Sequence, residues 1–228
     1  MNSNELLQRH VLEELDWEPS IDASKIGVTV TDGIVTLTGH VPIYVERSIA
    51  ERVAKRVHGV RRLLNEIVVD QPSKHRRSDD ELAAAAAHAI AWHAHVPPAR
   101  VTATANDGHL ILEGTVDWRF QRAAAEHAVH DMHGVRSIDN RIRVDGGLAN
   151  GEIKDSIESA FRRSAMLNSK NISVELEQHK VVLTGDVDSH TESDEAERVA
   201  WSARGVGEVE NCLTITPWGS GPSEEWGY

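Results

Sequence analysis

Val35-Thr-Leu-Thr-Gly39-His-Val41 recurs as Leu110-Ile-Leu-Glu-Gly114-Thr-Val116, and again as Val181-Val-Leu-Thr-Gly185-Asp-Val187. The glycines stand 75 and then 71 residues apart. A second block keeps the same offsets: Gly59-Val60 with Asn65, Gly134-Val135 with Asn140, and Gly205-Val206 with Asn211. Two separated blocks with one shared spacing mark an internal repeat, which overrides the one or two domains that 228 residues would suggest. The difference in spacing falls in Gln71-Pro-Ser-Lys-His-Arg-Arg77, a stretch of loop composition.

Each copy has the same pattern on either side of these blocks. A helical stripe comes first: Leu6, Leu7, Val11 and Leu15 in the first copy, Leu82, Ala86 and Ile90 in the second, Ile153, Ile157 and Phe161 in the third. Ser78-Asp-Asp-Glu81 is a capping box ahead of the second of these helices. Two short alternating runs follow, such as Ile26/Val28/Val30 and Val35/Leu37, with one apolar face at period 2. Asp32-Gly33 and Asn106-Asp107-Gly108 predict type I′ hairpin turns between them, whereas Gln178-His179 leaves the third turn open. A second helix then presents Ile49/Ala50/Val53/Ala54/Val57 and its equivalents; in the third copy it opens with Ser189-His-Thr-Glu192, another capping box. The glycine at 59, 134 or 205 ends it. A last strand closes each unit, at 63–69, 138–144 and 209–215. The expected fold class is α+β: three tandem αββαβ modules, at 4–70, 79–145 and 150–217, each a three-stranded mixed sheet with two helices on one face. Residues 218–228, rich in Gly and Pro, form a flexible or docked tail.

The pattern V-x-L-x-G-x-V, a helix, then G-V-x-x-(V/I/L)-x-N-x-(I/L)-x-V resembles the BON domain, named for bacterial osmotically induced and nodulation proteins. All three copies carry it, so the resemblance covers nearly the whole chain. It implies the αββαβ fold, an absence of catalytic residues, association with phospholipid or the envelope, and a place in osmotic stress. It also makes Gly39, Gly59, Gly114, Gly134, Gly185 and Gly205 structural positions rather than site residues.

Charge separates the copies. The net charge is −12, too acidic for a general nucleic-acid binder, so no nucleic acid is expected as partner. Residues 1–77 carry 11 cationic and 11 anionic side chains, 78–147 carry 6 and 10, and 148–228 carry 7 and 15. Attraction to an anionic surface therefore belongs to the first copy, where Arg47, Arg52, Lys55, Arg56, Arg61 and Arg62 are the lipid-binding candidates, with Lys74-His-Arg-Arg77 beyond them. The competing reading is a solvated face paired with Glu46, Glu51 and Glu66.

Histidine is abundant, at 13 residues. His127, His130 and His133 lie three apart near the end of a helix and are the metal candidates, although helical zinc pairs favour i, i+4 with a third ligand. The alternatives are helix-end residues whose charge suits the dipole, or a surface that titrates near neutrality. Trp17 and Trp92 occupy equivalent places and predict a shared core or rim role. Trp201 stands where the first copy has Lys55, an outward position that needs a cover; with Trp118 and Trp218 it is an interface candidate, for inter-repeat packing or a homo-oligomer.

A lone Cys212 excludes an internal disulfide. No leader pattern or long apolar span is seen, which predicts a cytoplasmic placement; the resemblance implies the periplasm as alternative. No P-loop, nucleophile elbow or dinucleotide fingerprint appears, so neither enzyme activity nor a cofactor is expected. The leading expectation is a non-enzymatic stress-associated binding or scaffold protein that presents its modules to phospholipid or envelope partners. A soluble holdase or protein-interaction module, and metal or pH sensing by the second copy, are the alternatives.

Overall fold

The computed structural model describes residues 3–70, 77–168, 171–177 and 179–216. The first module runs α1 (Ser3–Trp17), a single 3-10 turn, β1 (Ile26–Thr31), β2 (Ile34–Val41), α2 (Tyr44–Arg56) and β3 (Arg62–Val69). The second runs α3 (Asp79–Trp92), β4 (Val101–Asn106), β5 (His109–Val116), α4 (Arg119–His130), β6 (Ser137–Asn140) and β7 (Arg143–Val144). The third runs α5 (Asn150–Arg163), β8 (Ile172–Glu177), β9 (Lys180–Val187), α6 (His190–Trp201) and β10 (Glu208–Ile215). The architecture is α+β, three αββαβ modules with mixed sheets. The chain also divides into two compact units, one of Met1–His93, Thr102–Leu112 and Ala125–Arg141, the other of Ala94–Val101, Glu113–Ala124 and Ile142–Tyr228.

In the first sheet β2 is central, antiparallel to β1 and parallel to β3. The third sheet repeats this with β9 central, antiparallel to β8 and parallel to β10. In the second, the order is β4-β5-β6 with β7 also on β5. The single last strand expected there is broken at Arg141 and Ile142, although the Arg141 N–H still donates to the Leu112 carbonyl at 2.8 Å. The cores follow the stripes. Leu7, Val11 and Leu15 of α1 and Ala50, Val53 and Ala54 of α2 close over Val28, Val35, Leu37 and Ile67. Leu6 is off the stripe and exposed. Ile153, Ile157, Phe161, Ala196, Val199 and Ala200 do the same for the third sheet.

The repeat glycine has a steric cause. Gly39, Gly114 and Gly185 lie at φ +126°, +146° and +122°. A Cβ there would fall 2.0–2.1 Å from the carbonyl oxygen of Lys25, Arg100 or Asn171, on the neighbouring strand's approach. Any side chain would force the hairpin apart. Asp32-Gly33 and Asp107-Gly108 have positive φ at both positions, the requirement of the I′ turn; Gln178 lies outside the described residues.

The capping box at Ser78 forms as expected. At Ser189 only half of it forms. The hydroxyl accepts from the Glu192 N–H at 3.2 Å, but the Glu192 carboxylate turns to the N–H groups of Asp188 and Asn168 instead. Glu192 is thereby buried with each of its carboxyl oxygens accepting a backbone N–H.

Candidate functional site

The basic candidates of the first module separate by environment. Arg47, on the first turn of α2, is half-buried; its guanidinium donates to the Asn65 carbonyl at 3.2 Å and its Nε is buried without a hydrogen-bond partner. It serves the joint between α2 and β3. Arg52, Lys55 and Arg56 are exposed on α2, with Lys55 held by Glu51 at 2.7 Å. Arg61 and Arg62 are exposed where β3 begins, and the Arg61 stem lies over Gly33. Lys74, His75 and Arg76 lie outside the described residues.

Trp17, the last residue of α1, is 85% exposed, and Trp92, its equivalent on α3, is 79% exposed. Neither joins the core, which corrects the shared core or rim role. Trp17 lines a groove of about 470 Å³ with His10, Glu13, Glu14, Arg56, Val57 and His58. Glu18 sits close enough to Arg52 and Arg56 for their charge to help hold its carboxyl low, after the larger effect of hydrogen bonds from Ser20. An exposed indole and two guanidinium groups thus share one end of the first module.

His127 and His130 stack with ring centroids 6.4 Å apart, and His130 also contacts Asp131 at 3.0 Å. His133 lies beyond the end of α4 and is not gathered with them. Among the described residues no group of three His, Cys, Asp or Glu side chains is placed to hold a metal. The i, i+3 spacing stacks the two rings with 9° between their planes, while His133 lies past the helix end.

What the repeat spacing conceals is a pair of contacts between modules. Tyr44, the first residue of α2, meets His130, the last residue of α4, edge to face at 5.4 Å. Burial, with the Glu126 charge, pushes the Tyr44 hydroxyl above its ordinary pKa. In the other unit Arg119, the first residue of α4, lays its guanidinium over Trp201, the last residue of α6, at 3.9 Å from the ring centroid. Trp201 is half-buried and its Nε1 donates to Glu197 at 3.3 Å. Trp118 is also half-buried, with its ring 6.2 Å from Phe120. Beside Arg119, Asp117 pairs with Arg204 at 3.3 Å and with Arg100 at 2.7 Å, and its carbonyl accepts from the Gly205 N–H at 2.9 Å. The third interface candidate, Trp218, lies outside the described residues with the rest of the tail. Nothing local in the sequence marks Tyr44, Asp117 or Arg119. The one available signal is that Tyr44 and Arg119 are equivalent under the 75-residue shift, as His130 and Trp201 are under the 71-residue shift.

Among the described residues no helix is long and apolar enough to cross a membrane. The repeated module defines a tandem αββαβ protein. The BON domain pattern matches residues 3–71, 78–146 and 149–217, and the chain belongs to the BON domain family. It is 25% identical over 143 residues to osmotically-inducible protein Y of Escherichia coli (strain K12), covering 59% of this chain and 71% of that one. Solved structures of CdsD, a structural protein of the type III secretion system of Chlamydia trachomatis, align over 95% and 93% of this chain. Both are 13% identical, with TM-scores of 0.28, and they cover 100% and 93% of their own chains.

Proposed function

We propose that this chain is a non-enzymatic binding and scaffold protein of the osmotic-stress response, whose first module contacts anionic phospholipid. Family membership and the similarity to an osmotically inducible protein support the stress role and the absence of catalysis. The observation that carries the lipid reading is the exposed Trp17 beside Arg56, with Arg52 close to the adjoining Glu18. An indole sits well at the boundary of head groups and acyl chains, and each Lys or Arg near an anionic surface adds about 1 kcal/mol. Glu13 and Glu14 share the groove, so the attraction is modest and screened by salt.

Flotation with liposomes tests this. The full chain should rise with phosphatidylserine-containing vesicles and stay down with phosphatidylcholine alone. Trp17→Ala, or Arg52→Glu with Arg56→Glu, should abolish flotation. Equal flotation of wild type and variants, or none by wild type at physiological salt, ends the lipid reading.

A second reading rests on the outer face of the first sheet, where Ile34, Leu64 and Val68 are 38%, 39% and 53% exposed. It assigns that face to an apolar protein client. Suppression of client aggregation that survives high salt, lost in Leu64→Lys with Val68→Lys, distinguishes it from lipid binding.

A further inference from the structure

We propose that copies of this chain associate head to tail, with the amino-terminal end of α6 of one copy seated on the carboxy-terminal end of α2 of the next. The proposal does not depend on the lipid reading. It rests on a contact that the chain makes twice within itself. Tyr44 on His130 and Arg119 on Trp201 each join the first residue of one module's second helix to the last residue of the next module's second helix. The same face therefore serves both contacts, with different chemistry at its centre. Continued by the repeat spacing, the series reaches two further positions that carry no such contact among the described residues: His190, the equivalent of Arg119, and Lys55, the equivalent of His130 and Trp201.

Burial agrees with this. Gly134-Val135 and Gly205-Val206 are buried, whereas the equivalent Gly59 is exposed and Val60 only half-buried. At the other end of the contact, Pro42-Ile43 and Asp117-Trp118 are half-buried, whereas their equivalents Asp188-Ser189 are exposed. The two open ends are also opposite in charge. Asp186, Asp188 and Asp194 are exposed at the start of α6, and Arg52, Lys55 and Arg56 along the end of α2, where Glu51 pairs with Lys55 and Glu13, Glu14 and Glu18 lie near the arginines. Terminal modules of a repeat array need polar outer faces merely to stay soluble. Solubility alone does not call for opposite signs at the two ends, while docking of one end on the other does. Asp188 keeps the identity of Asp117, whose carboxylate pairs with Arg204; the equivalent of Arg204 is His58, which lies among the basic residues of the first module. A contact of this heterologous kind adds copies in one direction and has no two-fold symmetry.

Two measurements on the full chain test this, in the absence of lipid. In sedimentation velocity the wild type should show concentration-dependent association that falls with added salt. Asp188→Arg should weaken it at least about tenfold, and Asp188→Arg combined with His58→Asp should restore it. For direct placement, Lys55→Cys and His190→Cys are made in separate chains on a Cys212→Ser background, all exposed positions. Oxidation should give a disulfide-linked dimer when the two chains are mixed and none with either chain alone. A monomer at every concentration overturns the proposal, as does equal cross-linking of the Lys55→Cys chain with itself, which would mean a two-fold dimer.

Discussion

The Asn65 side-chain amide donates to the Glu51 carboxylate at 3.1 Å, tying the last strand of the first module to its second helix. The same pair recurs as Asn140 with Glu126 at 2.9 Å and Asn211 with Glu197 at 3.2 Å. In the first and third modules the asparagine oxygen also accepts a backbone N–H two residues on, from Ile67 or Leu213. One side chain thus satisfies a helix carboxylate and a strand donor together. Burial pushes the Glu51 carboxyl up, but hydrogen bonds from Lys55 and Asn65 outweigh it and leave the pKa below its ordinary value. Asn65→Ala should destabilise the first module by about 1–3 kcal/mol, the cost of leaving half-buried partners unpaired. Asn65→Asp should cost more at neutral pH, because two carboxylates then face each other, and recover in acid. Urea denaturation of the single variants at two pH values checks both; equal stability of Asn65→Asp and wild type at neutral pH would refute the clamp.

Glycine substitutions should divide sharply. At Gly39 an added Cβ meets the Lys25 carbonyl oxygen at 2.0 Å with φ at +126°. Gly39→Ala should therefore cost at least about 3 kcal/mol, from backbone displacement as well as dihedral strain. Gly151, in the first turn of α5, has nothing within 4 Å of the equivalent position. Gly151→Ala should stabilise by about 0.5–1 kcal/mol. Thermal unfolding of the two variants should move in opposite directions.

Much of this fold is legible in the sequence because its signals are local. The Asp-Gly turns, the Ser78 box and the stripe at Leu7, Val11 and Leu15 each act over a few residues. The surfaces are less legible. Trp17 follows Leu15 by two positions, about 200° around the helix, and so leaves the buried stripe. Spacing after a helix does not show that; the angle does. The contacts at Tyr44 and Arg119 are hidden for another reason. Their partners lie in the next module, and the two pairs share position but not residue type. Arg47 resembles its basic neighbours in sequence, and only the approach of β3 distinguishes it.

The Arg119 and Trp201 pair should be measurable as a coupling. A double-mutant cycle of Arg119→Ala and Trp201→Ala should give about 0.5–2 kcal/mol, the range for a cation over a partly covered indole. Strict additivity of the two losses would show that the geometry contributes nothing beyond area.

Asp79 supplies a pH test confined to the second module. Its carboxylate accepts from the N–H groups of Gly108 and Asp107 at 3.0 and 2.8 Å, linking the start of α3 to the β4-β5 turn. Those two donors, the Gly108 one first, hold its pKa below the ordinary aspartate value, with a smaller contribution from the Arg136 and His109 charges. A carboxyl whose pKa is lower folded than unfolded contributes stability fully above its unfolded value. That contribution is lost as the pH falls through the folded value. Wild type should therefore lose stability more steeply on the acid side than Asp79→Asn, and the two curves should converge at the acid end. Asp79→Asn keeps one acceptor and the shape of the side chain, so its deficit at neutral pH reports the charge. Thermal melts recorded from neutral pH down into the carboxylate range measure the difference, and parallel curves throughout would show that the Asp79 charge plays no part in holding the turn.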